Sequence, residues 1–173
     1  MKIKDRKTVY NGFFKVEHVM VEHQDKTLQR DLIIPKNAVA ALVYDTKTQE
    51  YILTEQFRVA AEGEVIEIVA GLIDKEGEKP EETITREIAE EIGYAVDKLE
   101  FINCFYSTPG SYTEKVSLYY AEVSHKISDG GGVDSEGEEV KTVTFSREKL
   151  FSTTFEDAKT LIAVLWEQCK NRS

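Results

Sequence analysis

The chain has 173 residues, with 22 Lys and Arg against 32 Asp and Glu and a formal net charge of −10. That length suits one domain of ordinary size with a real core. The acidic balance, with no segment of clustered Lys or Arg, excludes nucleic-acid binding through a basic surface. No stretch approaches the ~20 apolar residues of a membrane span, and the opening MKIKDRKTVY lacks an apolar run of signal-peptide length. A cytoplasmic protein is therefore expected. Cys104 and Cys169 have no CxxC spacing and read as reduced, buried thiols, and His18, His23 and His125 lack the spacing of a zinc site.

Residues 8–34 are rich in aromatic and β-branched side chains, broken by Asn11-Gly12 and by the polar run Glu22 to Thr27. The pattern is that of strands joined by turns, so residues 1–36 are expected to form an antiparallel β segment ahead of a main domain over 37–173. Val39 to Tyr44 and Tyr51 to Phe57 predict a hairpin about Asp45-Thr46-Lys47-Thr48. Its second strand ends in Glu55-Gln56-Phe57-Arg58. An arginine there can grip a phosphate through its planar fork of donors, or sit in a surface salt bridge. Glu64 to Ala70 predicts a strand leading into Gly71.

Pro80 to the residue before Gly93 predicts a helix, which sets Glu87, Glu90 and Glu91 at i, i+3 and i+4 on one face. Like charges at that spacing destabilise by roughly 0.2–0.5 kcal/mol per pair in the open, and more where burial lowers the dielectric. The cluster therefore invites a cation. Ile84, Ile88 and Ile92 form an apolar stripe beside Glu87 and Glu91, so these carboxylates belong at the edge of the core. A crowded, oxygen-rich, half-buried site suits Mg²⁺, Mn²⁺ or Ca²⁺ better than zinc; the plainer alternative is a solvated acidic face.

Beyond the helix, Phe101 to Tyr106 and Val116 to Val123 read as strands separated by the turn Ser107-Thr108-Pro109-Gly110-Ser111. The tract SDGGGVDSEGEE, residues 128–139, is acidic and glycine-rich, and it lacks the ligand spacing of an EF-hand. Val140 to Phe145 predicts a strand. A last helix is expected from Phe155 to Cys169, with Thr153 and Glu156 as capping box and Leu161, Ile162, Leu165 and Trp166 as its apolar face.

Glu78, seven residues, then Arg86-Glu87-Ile88-Ala89-Glu90-Glu91-Ile92-Gly93 resembles the Nudix box: Gly, five residues, Glu, seven residues, Arg-Glu, an aliphatic residue, any residue, Glu-Glu, any residue, Gly. One departure is visible. Six residues separate Gly71 from Glu78 where the box has five, which reads as an insertion in the loop ahead of the helix. Over roughly residues 30–168 the chain resembles the ADP-ribose and nucleoside-diphosphate-sugar pyrophosphatase branch. The GGGVDSEGEEV loop and the Ser-Thr-Pro-Gly turn look most like those of the GDP-mannose hydrolases.

The resemblance implies an α/β/α sandwich with a mixed sheet, and a homodimer built through the N-terminal β segment. It implies Mg²⁺, with Mn²⁺ possible, held by the Ala70 carbonyl, Glu87, Glu90 and Glu91. It implies substrate contacts from Arg58, Glu67, Arg30, Ser107 and Gly110. The catalytic residues it implies are Glu91, through the metal, and a loop glutamate acting as base: Glu138 first, with Glu136 and Glu139 as neighbours. Arg86 is expected to pair with box carboxylates. The reaction implied is cleavage of a nucleoside diphosphate sugar, GDP-mannose-like, to nucleoside monophosphate and sugar phosphate. ADP-ribose is the alternative substrate. From another class comes a non-hydrolytic nucleotide sensor, against which the complete set Arg86, Glu87, Glu90 and Glu91 argues.

Overall fold

A computed structural model describes residues 1–132 and 139–170. The chain divides into two compact units, one of Met1–Asn37 with Phe105–Val116, the other of Ala38–Cys104 with Ser117–Ser173.

In the first unit three antiparallel strands, β1 (Lys2–Asn11), β2 (Lys15–His23) and β3 (Lys26–Ile34), lie in the order β1-β2-β3. Gln24 and Asp25, both with positive φ (48° and 60°), make the two-residue turn between β2 and β3 that a right-twisted hairpin favours. Glu17 is buried on β2 because Lys15 at 2.6 Å and Arg6 at 3.3 Å compensate its charge. The expected turn at 107–111 forms, with Tyr112 N donating to Thr108 O at 3.0 Å. It is stitched to the end of β3, since Ile33 N donates to Ser111 O at 2.8 Å and Thr113 N to Ile33 O at 3.1 Å.

The second unit holds the greater part of a seven-stranded sheet ordered β10-β5-β4-β9-β8, with β6 on β5 and β7 on β4. The strands are β4 (Ala38–Asp45), β5 (Glu50–Arg58), β6 (Gly63–Glu67), β7 (Val69–Leu72), β8 (Tyr94–Tyr106), β9 (Lys115–Lys126) and β10 (Lys141–Phe145). Helices α1 (Pro80–Glu91), α2 (Arg147–Ser152) and α3 (Ala158–Lys170) accompany them. The hairpin β4–β5 turns where expected, with Asp45 Oδ1 accepting from Lys47 N at 2.8 Å. These two strands pair only from Val43↔Ile52 to Asp45↔Glu50. Beyond that β5 pairs with β6 and β4 with β7, so the stretch expected as one strand changes partner at Ile68. The Ile68 N–H, released from the ladder, donates to Thr160 Oγ1 at 2.9 Å.

Strand alternation distributes the core to both faces of the sheet. Val39, Ala41, Val43 and Ile52 cluster with Ile84 and Ile88 of α1 and with Ile92 at its C-cap, all buried, as the predicted isoleucine stripe requires. The neighbouring Tyr51 points the opposite way and donates to Glu167 of α3 at 2.6 Å, placing α1 and α3 on opposite faces. The expected α/β sandwich with an N-terminal antiparallel sheet is thus the observed fold.

Three local expectations are corrected. The last helix starts at Ala158, not Phe155, because Asp157 caps it: Oδ2 accepts from Thr160 N at 2.9 Å. Thr153 instead closes α2, its Oγ1 donating to Lys149 O at 2.7 Å. Consequently α3 buries Thr160, Ala163, Val164 and Glu167, whereas Leu161, Ile162 and Leu165 are exposed. Trp166 is half-buried against Tyr120, with ring centroids 5.7 Å apart. Finally, Cys104 and Cys169 are exposed. Among the described residues no helix is long and apolar enough to cross a membrane.

Candidate active site

Helix α1 is well specified locally. Pro80 occupies its first turn, Glu82 Oε2 accepts from Lys79 N at 3.1 Å, and Glu81 and Glu82 put negative charge at the positive end of the helix dipole. Its end is set by Gly93, whose φ of 76° only glycine adopts without strain. Three and a half turns between these signals carry the acidic face. Glu91 is buried, Glu87 nearly so, and Glu90 more open, in order of their approach to the isoleucine stripe.

The structure sets Glu87 against β7. A β-carbon on Gly71 would lie 2.1 Å from Glu87 Cδ, so the glycine makes the space in which this carboxylate sits, one residue after Ala70. The irregular spacing before Glu78 is absorbed by the 73–79 turn, where Gly77 has φ 78° and Glu78 N donates to Lys75 O at 3.2 Å. Glu78 still reaches the helix: Oε2 accepts from Thr83 Oγ1 at 3.0 Å and Oε1 from Arg86 Nε at 3.2 Å.

Arg86 is the hub of the cluster, as expected. Nη1 lies 2.8 Å from Glu87 Oε1 and 2.7 Å from Glu90 Oε2, and Nη2 lies 3.5 Å from Asp74 Oδ1. Burial disfavours its charge, but Glu78, Glu90 and Glu87 outweigh burial and raise its pKa. Arg86 in turn holds the Glu78 carboxyl below the usual range. In this arrangement, among the described residues, no three acidic, His or Cys side chains are grouped as a metal cage. The chemistry of the donor set nevertheless fits a hard divalent cation. It offers carboxylates and a backbone carbonyl without His or Cys, a space kept by Gly71, and shielding by buried isoleucines.

A second charged group lies at the end of β5 and β6. Arg58 and Glu67 face each other as a fork, Nε to Oε1 at 2.6 Å and Nη2 to Oε2 at 2.9 Å. Lys159 of α3 also bonds Glu67 Oε2, and donates to Asp157 Oδ1 at 2.9 Å. Burial alone would raise the Glu67 carboxyl; the Arg58 fork and Lys159 reverse that and hold it low. These residues line a cavity of about 360 Å³ with Ala60, Ala61 and Val65 as its apolar wall. Arg58 is raised mainly by its bond to Glu67, and Glu91 adds to the effect, so the two charged groups feel each other.

Of the remaining sequence-derived candidates, Arg30, Ser107 and Gly110 belong to the first unit and are exposed, Arg30 donating to Gln29 O at 2.9 Å. Glu136 and Glu138 lie outside the described residues. The flanks of their segment are fastened to the end of α1. Gly131 N donates to Glu91 O at 2.8 Å, Gly132 N to Glu90 O at 3.2 Å, and Val140 N to Gly131 O at 3.2 Å. Sequence reading missed Lys159 and Asp157. Asp157 three residues before Thr160 was the available signal, an N-cap that competes with Thr153.

Comparison with known proteins agrees with this geometry. A family model described as NUDIX domain matches residues 34–164. Among curated relatives, a GDP-mannose pyrophosphatase of Cronobacter sakazakii is 35% identical over 144 residues, covering 78% of this chain and 74% of the relative. An ADP-ribose pyrophosphatase of Haemophilus influenzae is 31% identical over 166 residues, covering 87% and 76%. A crystal structure of an ADP compounds hydrolase superposes with TM-score 0.80 at 23% identity, over 99% of this chain and 95% of that one, a likeness of fold.

Proposed function

Because the chain belongs to the Nudix family, we propose that it hydrolyses the diphosphate linkage of nucleoside diphosphate sugars, with GDP-mannose-like compounds as first substrate class. One observation carries the reading: Glu87, Glu90 and Glu91 share a face of α1, with Glu87 seated on Gly71 beside Ala70. ADP-ribose is the second reading, favoured by a relative of that specificity that matches over 87% of this chain.

Glu87, Glu91 and the Ala70 carbonyl would hold Mg²⁺ or Mn²⁺, with Glu90 ligating or orienting. When bound, the cation neutralises diphosphate charge and acidifies a water. The protein's own residues do the rest. Glu138 accepts the proton of the attacking water, with Glu136 as the neighbouring candidate. Arg58 binds an anionic oxygen of the substrate through donors that Glu67 does not use. Arg86 keeps the acidic face together by bonding both Glu87 and Glu90.

A panel of GDP-mannose, ADP-ribose and other nucleoside diphosphate sugars, with Mg²⁺ and a phosphatase to release phosphate from the products, tests the assignment. Turnover of GDP-mannose that disappears on chelation supports it, and turnover confined to ADP-ribose selects the second reading. Binding without cleavage of any member would replace both with a sensor.

The proposal includes a homodimer. Strand β1 is an exposed edge along its whole length, and Ile3, Tyr10 and Phe13 are exposed. Sedimentation is expected to show a dimer that Phe13→Ser with Tyr10→Ser weakens. A wild-type monomer at micromolar concentration would remove this part.

A further inference from the structure

Lys159 is tied to the start of α3 and reaches the residue that holds Arg58. Asp157 Oδ2 caps the helix and accepts from Thr160 Oγ1 at 2.6 Å, and Thr160 Oγ1 itself accepts from Ile68 N, the residue after Glu67. The helix start is therefore bolted to the point where the chain changes partner in the sheet. From that anchorage Lys159 bonds Glu67 Oε2 while Asp157 Oδ1 steadies its ammonium at 2.9 Å.

Glu67 is 3% exposed, so its orientation is decided by these few bonds. Its two oxygens take the Nε and Nη2 donors of Arg58. Among the described residues Nη1 of Arg58 has no hydrogen-bond partner, although the side chain is 43% exposed on the cavity. A planar fork fastened along one edge presents its other edge in a defined direction. A carboxylate held by Arg58 alone would follow the arginine's motion. With Lys159 fixed on the helix, the carboxylate becomes the stationary partner.

We infer that Lys159 is a positioning residue: it holds Glu67 from α3, and through Glu67 keeps Arg58 set with Nη1 available to an anionic oxygen of the substrate. Such pre-setting strengthens binding by removing the cost of ordering the arginine at the moment the substrate arrives. The inference rests on the role of Arg58 given under Proposed function.

The test is a double-mutant cycle on whichever of GDP-mannose or ADP-ribose is turned over, or on the equilibrium Kd for both by calorimetry. Lys159→Met is expected to raise KM, or Kd, about tenfold, with kcat within about twofold of wild type, as loss of uniform binding predicts. Arg58→Gln raises it at least as much. The double variant is expected to be no worse than Arg58→Gln, because Lys159 acts through Arg58. Should Lys159→Met fail to fold, Lys159→Gln carries the same comparison. Effects that add in the double variant, or a Lys159 variant that lowers only the melting temperature, overturn the inference and leave the function standing. An Arg58→Gln protein with unchanged KM and Kd overturns both roles.

Discussion

Glu91→Gln is expected to lower Mg²⁺-dependent turnover by about a hundred- to a thousandfold, the scale on which loss of one electrostatic contributor acts, here by weakening the hold on the cation, while the protein folds as before. The substitution is nearly isosteric. Glutamine therefore preserves the packing of the last turn of α1 beside Ile84, Ile88 and Ile92, all fully buried, while it removes the charge and exchanges one acceptor oxygen for a donor. It also relieves repulsion within the acidic face, where like pairs cost about 0.2–0.5 kcal/mol each. The melting temperature should hold or rise slightly as activity disappears. That split is the diagnostic, since a merely structural glutamate would lose stability first. Phosphate release from GDP-mannose and ADP-ribose, with thermal melting in parallel, reads both quantities. Near-normal turnover would sink the assignment of Glu91 to the cation.

Gly93→Ala carries the largest expected loss of stability from a single methyl group. Gly93 has φ 76°, which costs an L-residue about 1–2 kcal/mol by itself. The added β-carbon would also lie 2.2 Å from the Ser128 carbonyl oxygen, a backbone atom that no rotamer change can move. That contact cannot be relaxed without disturbing a clasp in which Ile127 N and Ser128 N donate to Gly93 O at 2.7 and 3.2 Å. Melting is expected to fall by at least about 4 °C, since 1 kcal/mol moves a domain of this size by about 2–4 °C. Two controls separate the contributions. Gly77→Ala meets no atom within 4 Å but shares the positive φ, and Gly110→Ala has neither penalty. The order of destabilisation should be Gly93, Gly77, Gly110. A Gly93→Ala protein melting with Gly77→Ala would show that the clasp contributes nothing.

The clasp also bears on the reaction. Gly131 and Gly132 donate to the carbonyls of Glu91 and Glu90, so the C-terminal turn that carries the acidic pair is capped by the chain leading toward the glutamates proposed as base. The glycine run at 130–132, legible from the sequence only as part of an acidic, glycine-rich tract, has positive φ at all three positions. A Cβ on Gly130 would lie 2.7 Å from Glu91 O. There glycine serves close approach of two backbones as well as freedom of the chain.

What the sequence determined by itself is what depends on neighbours a few residues apart. The start at Pro80, the stop at Gly93 and the i, i+3, i+4 spacing of Glu87, Glu90 and Glu91 are local facts of helix geometry, and the isoleucine stripe gave the helix its buried side. The hairpin at Asp45–Thr48 and the turn at 107–111 were legible for the same reason, because turn residues act on their own backbone. The rest needed contacts across the fold. The break at Ile68 exists because β4 and β5 part and a third stretch fills the gap, which no pattern within residues 64–70 records. The face of α3 was misread because its burial is decided by Tyr51 and Ile68, 116 and 92 residues away from Glu167 and Thr160, and because Asp157 rather than Thr153 won the cap. Glu67 enters as a candidate only through the family resemblance, and its role as the anchor of Arg58 needed a lysine 92 residues further on. Side chains meet at that range only once the sheet and helices have assembled, so a pairing of that kind is a property of the tertiary structure alone.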